Sequence, residues 1–154
     1  MLAISIWNPY AALLARRDLH GLPYKEFETR TWKTSYRGPI AIHAATSVES
    51  IQNIIRTIRE QPHSEKAMFY REVFQTLDGV EANLWKLPRG VVIATGDLVA
   101  IFRGEELTRI SWRERLVGNF GPGYFGWKIE NVKLLPQPIK ARGMPGLWEW
   151  NPAA

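Results

Sequence analysis

The sequence predicts an α+β fold: a small mixed β-barrel flanked by two to three helices. Three observations carry that expectation. Short segments rich in isoleucine, valine, threonine and aromatic residues recur along the chain between glycine and proline clusters, as strands do. The main helical periodicities follow one another instead of alternating with strands, so there is no βαβ rhythm. The longest apolar run, Val91 to Phe102, is interrupted at Gly96 and Asp97, where a strand bends or bulges, and a bent strand shared by two sides closes a small barrel.

Taken in order, Leu2 to Trp7 reads as a short strand. Asn8 suits an N-cap and Pro9 a first helical position, so a helix is expected over Tyr10 to Arg17, stopped by Gly21-Leu22-Pro23. Its free amides offer an anion site, with Trp7 beside them as a stacking platform or a core residue. Lys25 to Trp32 is expected as a strand. Alternation places Glu28, Arg30 and Trp32 on one face and Phe27, Thr29 and Thr31 on the other. An acid, a guanidinium and a large ring side by side mark either a site or a surface with paired charges. After a turn at Tyr36-Arg37-Gly38-Pro39, Ile40 to Ala45 is a strand whose His43 lies among small residues. A lone histidine there is more often a satisfied core residue than a catalyst.

Thr46 with Glu49 reads as a capping box, and Val48, Ile51, Ile54, Ile55 and Ile58 recur at helical spacing as far as Gln61-Pro62. Ser64 to Leu77 reads as a second helix burying Ala67, Phe74 and Leu77. Residues 62–88 are thus expected as a helical insertion within one domain spanning 1–154. Asp97, in its apolar strand, needs a polar partner. Arg103 to Arg115 reads as a basic, solvated excursion around Trp112, and 118–123 as a flexible loop. In the strand Tyr124 to Leu135, Phe125, Trp127 and Ile129 form the core face, and Tyr124, Gly126, Lys128 and Glu130 the other. Pro136 and Pro138 are expected to turn the chain before a last strand from Leu147 to Trp150.

Composition narrows the chemistry. With no cysteine, disulfides and thiolate metal sites are excluded. His20, His43 and His63 are scattered, and neither a P-loop nor a GxGxxG motif occurs, so no metal or cofactor is expected. No apolar run reaches the ~20 residues of a membrane span. The opening Met-Leu-Ala-Ile-Ser-Ile-Trp lacks a basic leader, and a cytoplasmic location is the default expectation. Net charge is +5, arginine outnumbers lysine 13 to 7, and there are seven tryptophans. Arginine with aromatic rings is the composition of single-strand nucleic-acid surfaces, since guanidinium grips phosphate and rings stack on bases.

Several motifs in order resemble the ASCH domain (activating signal cointegrator homology), a branch of the PUA-like superfamily. They are Ser5-Ile6-Trp7-Asn8-Pro9-Tyr10-Ala11, then Lys25-x-x-Glu28-Thr29-Arg30-x-Trp32, and Tyr36-Arg37-Gly38-Pro39-Ile40-Ala41-Ile42-His43-Ala44. Tyr124-Phe125-Gly126-Trp127 and Arg142-Gly143-x-x-Gly146-Leu147-Trp148 complete the set. The match covers both ends of the chain and skips the middle. It implies a PUA-like pseudo-barrel with a basic cleft between the first helix and the second strand. Carried over to that cleft are Trp7, Lys25, Glu28, Arg30, Arg37, Lys128 and Tyr124, with Trp32 a second stacking candidate.

Three functional readings follow. In the first, the cleft binds RNA or another single strand. Arg30, Arg37 and Lys128 contact phosphates, Trp7 or Trp32 stacks on a base, and Glu28 accepts from a base or orients Arg30. In the second, Lys25 and Glu28 are catalytic, in a ribonuclease or an amidohydrolase of an acylated cytidine or similar nucleoside. The hydrolase branch of the family carries a threonine nucleophile three positions after its lysine, where this chain has Glu28. In the third, tryptophans near Pro136 to Pro145 form a groove for an extended peptide.

Overall fold

The structure, a computed structural model, describes residues 1–153. Six strands form one mixed sheet in the order β2-β5-β4-β3-β1-β6. They are β1 (Leu2–Ile6), β2 (Phe27–Arg30), β3 (Gly38–Ala44), β4 (Val91–Arg103), β5 (Phe125–Lys140) and β6 (Leu147–Glu149). Only the β1–β3 pair is parallel. The helices are α1 (Tyr10–Ala15), α2 (Glu49–Glu60), α3 (Glu65–Phe74), α4 (Val80–Trp85) and α5 (Trp112–Leu116). The α+β expectation holds, with five helices where two to three were expected. No hydrogen-bonded ladder joins β2 to β1 or β6, so the sheet is a curled half-barrel instead of a closed barrel. The curl is visible in one contact: Arg30 of β2 donates from Nη2 to the Ser5 carbonyl of β1, 2.7 Å away, although three strands separate them in the sheet.

The concave face is the main core. Ile4, Ile6, Ile40, Ile42, Leu98, Trp127 and Ile129 pack there against Ala11, Leu14 and Ala15 of α1. The other side of α1, through Ala12 and Leu13, packs against the isoleucine stripe of α2 and against Phe69, Tyr70, Phe74 and Leu84 of α3 and α4. α1 is therefore sandwiched between sheet and helical layer, which explains why six residues suffice for a stable helix: tertiary burial replaces the cooperativity a short helix lacks. On the convex face, Trp148 and Trp150 are buried with Ala3, Ala41 and Val92. The tryptophans expected to open a peptide groove are core residues.

Local corrections have local causes. Asn8 does not cap α1: its Nδ2 donates to the Pro88 carbonyl at 2.8 Å, and Pro9 takes the cap position across a cis Asn8–Pro9 bond. α1 stops at Ala15, two residues early. The Lys25–Trp32 strand shortens to Phe27–Arg30. The Thr46–Glu49 box is not made: Val48 takes the α2 cap position and the Ser47 hydroxyl accepts from the Glu49 amide at 3.3 Å, whereas Ser64 caps α3 by accepting from the Ala67 amide. Leu77 is fully exposed, because α3 ends at Phe74. Residues 62–88 are helical as expected, in two helices where one was foreseen.

The long strands explain themselves through their irregularities. The β3–β4 and β4–β5 ladders shift register, once at Gly96 between Thr95 and Asp97. A Cβ there would meet the Glu130 carbonyl and Ile129 at 3.0 Å. Asp97 finds its partner in the Asn131 amide, 3.1 Å away. β5 runs through both prolines because the ladder skips them: Ala94 pairs with Leu134 and Val92 with Ile139, leaving Pro136 and Pro138 in the interruption, where no amide donor is needed.

Candidate functional site

The alternation expected of β2 is observed. Opposed residues of an antiparallel pair share a face, and the register sets Glu28 opposite Trp127 and Arg30 opposite Phe125, on the concave side. Phe27 and Thr29 face the other way: Phe27 packs edge-on to Phe102 and Phe120, and the Thr29 hydroxyl accepts from the Asn119 amide. Lys128 opposes Phe27 and so projects from the convex side, paired with Glu130 at 3.3 Å. Trp32 packs edge-on against Trp127 at 4.7 Å, and its carbonyl accepts from the Trp127 indole.

Lys25 is only 1 % exposed. Its Nζ donates to the Val117 carbonyl at 3.0 Å, just past the end of α5, and lies 5.9 Å from the Tyr10 ring centre. Its charge also acts on Glu114, buried in α5, whose carboxylate accepts from the amides of Glu26 and Phe27. Burial raises the Glu114 pKa, opposed by Lys25 and those two amides. These contacts clamp α5 to the entry of β2 and end the basic excursion expected over 103–115. Serine at 111 caps α5, accepting from the Glu114 amide at 3.2 Å. Ser-x-x-Glu is a sequence signature for such a start.

Glu28 lies between this cluster and the open face. One carboxylate oxygen accepts from the Thr29 amide at 3.1 Å and lies 3.9 Å from Arg30 Nε; the other is buried without a partner, as is Arg30 Nε itself. Tyr10, its pKa raised by burial, feels the Glu28 charge as well. Lys25 and Glu28 thus both converge on Tyr10, and Arg30 leads from them to the surface.

At that surface β4 and β5 outrun β3, whose pairing to β4 stops at Leu98, and in the cross-strand row Arg30–Phe125–Arg103 the first two are half-buried and Arg103 is exposed. Lys33 holds its Nζ 5.7 Å from the Phe125 ring centre. Arg37 donates to the carbonyls of Thr34 and Tyr36, which fixes it on the rim. A groove of about 550 Å³ runs here, lined by Lys33, Thr34, Arg37, Ile101, Arg103 and Phe125, with Glu106 the acid among its lining residues. Trp7, 43 % exposed, follows by two residues the Ser5 carbonyl that holds Arg30. Of the residues expected at the site, Arg37 lines this groove and Arg30 stands beside it opposite Phe125, whereas Glu28 and Lys25 are buried behind it and Lys128 sits on the reverse face. Arg103 and Phe125 join it only through strand register, and Lys33 from the loop after β2.

His43 is satisfied in the convex layer, 2 % exposed. The Ala141 carbonyl can only accept, so Nε2 donates to it at 2.9 Å and Nδ1 accepts from the Ser5 hydroxyl at 3.0 Å. Ser5 Oγ in turn accepts from the Trp148 indole at 3.2 Å. Gly143 closes over the pair so tightly that a Cβ would lie 2.5 Å from Ser5 Oγ. Burial lowers the His43 pKa. The unfolded chain therefore takes up a proton that the fold refuses, so this contribution to stability is intact above the ordinary value of about 6.5 and is lost as pH falls below it. Glu114 acts oppositely on acidification. The check is the difference between parent and His43→Gln: the parent's unfolding midpoint is expected to drop more between pH 7.5 and 5.5, and an equal drop would show that His43 is not held neutral.

No family model matches the chain, and no curated protein matches it either.

Proposed function

We propose that this chain is a PUA-like domain of the ASCH type that binds single-stranded nucleic acid, RNA foremost. The observation that carries this is the groove around Phe125, where three cations (Lys33, Arg37 and Arg103) line the site with one half-exposed ring, and a fourth, Arg30, stands opposite that ring on β2. Phosphates bind the guanidinium and ammonium groups, and a base stacks on Phe125 once the flexible Lys33 side chain swings aside. Trp7, exposed two residues past the Ser5 carbonyl that holds Arg30, offers a second ring. Glu28, buried behind this row, orients the Arg30 guanidinium from 3.9 Å and does not itself reach a base.

The hydrolytic reading draws on the unpartnered Glu28 oxygen. It is the weaker one: Lys25 is enclosed and hydrogen-bonded, and Thr29 lies across the sheet from it.

The test is a titration of a labelled single-stranded RNA over a range of salt. Each lost phosphate contact lowers the slope of log K against log [salt] by about 0.7, so Arg37→Gln with Arg103→Gln is expected to flatten it by about 1.4. A parent affinity indifferent to salt, or an unchanged slope, contradicts the proposal. The same samples incubated with acetylated cytidine separate binding from turnover: turnover abolished by Glu28→Gln would favour the enzyme.

A further inference from the structure

A second hollow, of about 670 Å³, lies between α1 and the proline-bearing arm of β5. That is a size typical of small-molecule sites. Its walls are apolar: Ala12 and Ala15 on one side, Leu87 and Ile93 beneath, Leu134 and Leu135 opposite. Leu134 is 62 % exposed there, so the wall is left for something else to cover.

Its polar equipment is sparse: Asn8, Tyr24 and two arginines. Asn8 lines the hollow and is 1 % exposed. Because the Pro88 carbonyl can only accept, Asn8 must present Nδ2 to it, and Oδ1 is left as a buried acceptor without a partner. Such an atom is costly unless something donates to it. Arg16 and Arg17 also line it, the Arg16 guanidinium lying 4.9 Å from the Phe74 ring centre, and no carboxylate is among the lining residues. Neither arginine takes part in a salt bridge among the described residues. Arg17 spends one nitrogen on the Gly21 carbonyl, leaving the rest of its fork free.

We infer that this hollow binds a small organic anion: an apolar ring body against Leu134 and Ile93, an N–H donor meeting Asn8 Oδ1, and a phosphate or carboxylate held by Arg16 and Arg17. Nucleotides and N-acylated aromatic amino acids share that chemistry. The site is separate from the Phe125 groove, and its occupation does not depend on nucleic-acid binding.

The test titrates the full chain with adenosine 5′-monophosphate in one arm and N-acetylphenylalanine in the other. The readout is the proton–nitrogen spectrum, followed at the Asn8 side-chain amide and the Leu134 and Leu135 backbone amides. One arm is expected to shift these signals saturably, and that arm names the source. Removing the anion (adenosine, or the uncharged amide of N-acetylphenylalanine) is expected to weaken binding roughly tenfold, as the loss of a charge-assisted hydrogen bond does. Arg17→Gln and Leu134→Glu, both at exposed positions where folding is spared, are expected to do the same. The inference is overturned if neither probe shifts these amides up to about 10 mM, beyond which binding is too weak to be specific. It is equally overturned if the shifts are indifferent to both substitutions.

Discussion

Glu114→Ala is expected to destabilise the fold by about 2–5 kcal/mol, since two backbone amides lose their acceptor at ~1–3 kcal/mol for each group left unsatisfied. The carboxylate accepts from two backbone amides at the entry to β2, and its loss leaves those amides short of an acceptor and Lys25 short of a counter-charge. Lys25 cannot escape to water, being 1 % exposed between Tyr10 and the Val117 carbonyl. The pairing itself is not what matters. Lys25→Met with Glu114→Gln removes both charges and keeps a carbonyl for one amide, so it should recover most of the loss. Urea unfolding of the parent, the single and the double variant checks this. A single variant within about 1 kcal/mol of the parent would show that Glu114 does not hold α5 to the entry of β2.

Phe125→Leu is expected to weaken single-strand binding by about 1–3 kcal/mol, the worth of one base stacked on an aromatic ring. Leucine keeps the apolar contact that Phe125 makes with the core but removes the π face under Lys33. Stability should therefore change little while affinity falls, at every base sequence alike. If affinity and stability fall together, the ring is only a packing residue. The control is Trp32→Leu: that ring is committed edge-on to Trp127, so its loss costs stability before affinity.

What could be read in the sequence was whatever is local. The faces of β2 follow from alternation alone, and the isoleucine stripe of α2 from helical spacing, because neither depends on a distant partner. The bulge at Gly96 was legible because a break in an apolar run has few other meanings. β5 was misjudged at Pro136 and Pro138 because a proline forbids only a ladder bond, and the register shift removes that bond at this point. α5 was missed because its residues are basic and polar. It is held by Glu114 reaching back to Glu26 and Phe27, although Ser111-x-x-Glu114 had the spacing of a cap.

The site was half legible for the same reason. Arg30 was found because it sits with Glu28 on one short strand, and Arg37 because it follows closely. Arg103 and Phe125 join Arg30 only when β2, β5 and β4 lie side by side in one register, and Lys33 reaches the ring from the loop after β2. Lys128 was grouped with them by charge, and a single step of register put it on the far face. Lys25 looked like a site residue because a lysine beside a glutamate suits catalysis. Its burial follows from an α5 that the sequence did not announce.

The most direct test is to crosslink a photoreactive single-stranded RNA, with 4-thiouridine at one position, to the full chain and identify the modified residue by mass spectrometry. The ring of Phe125, or that of the exposed Trp7, is expected to carry the adduct. Adducts confined to Tyr124 and the neighbourhood of Lys128 on the reverse face, or to the helices of residues 49–85, would mean that the cationic groove is not where the strand lies.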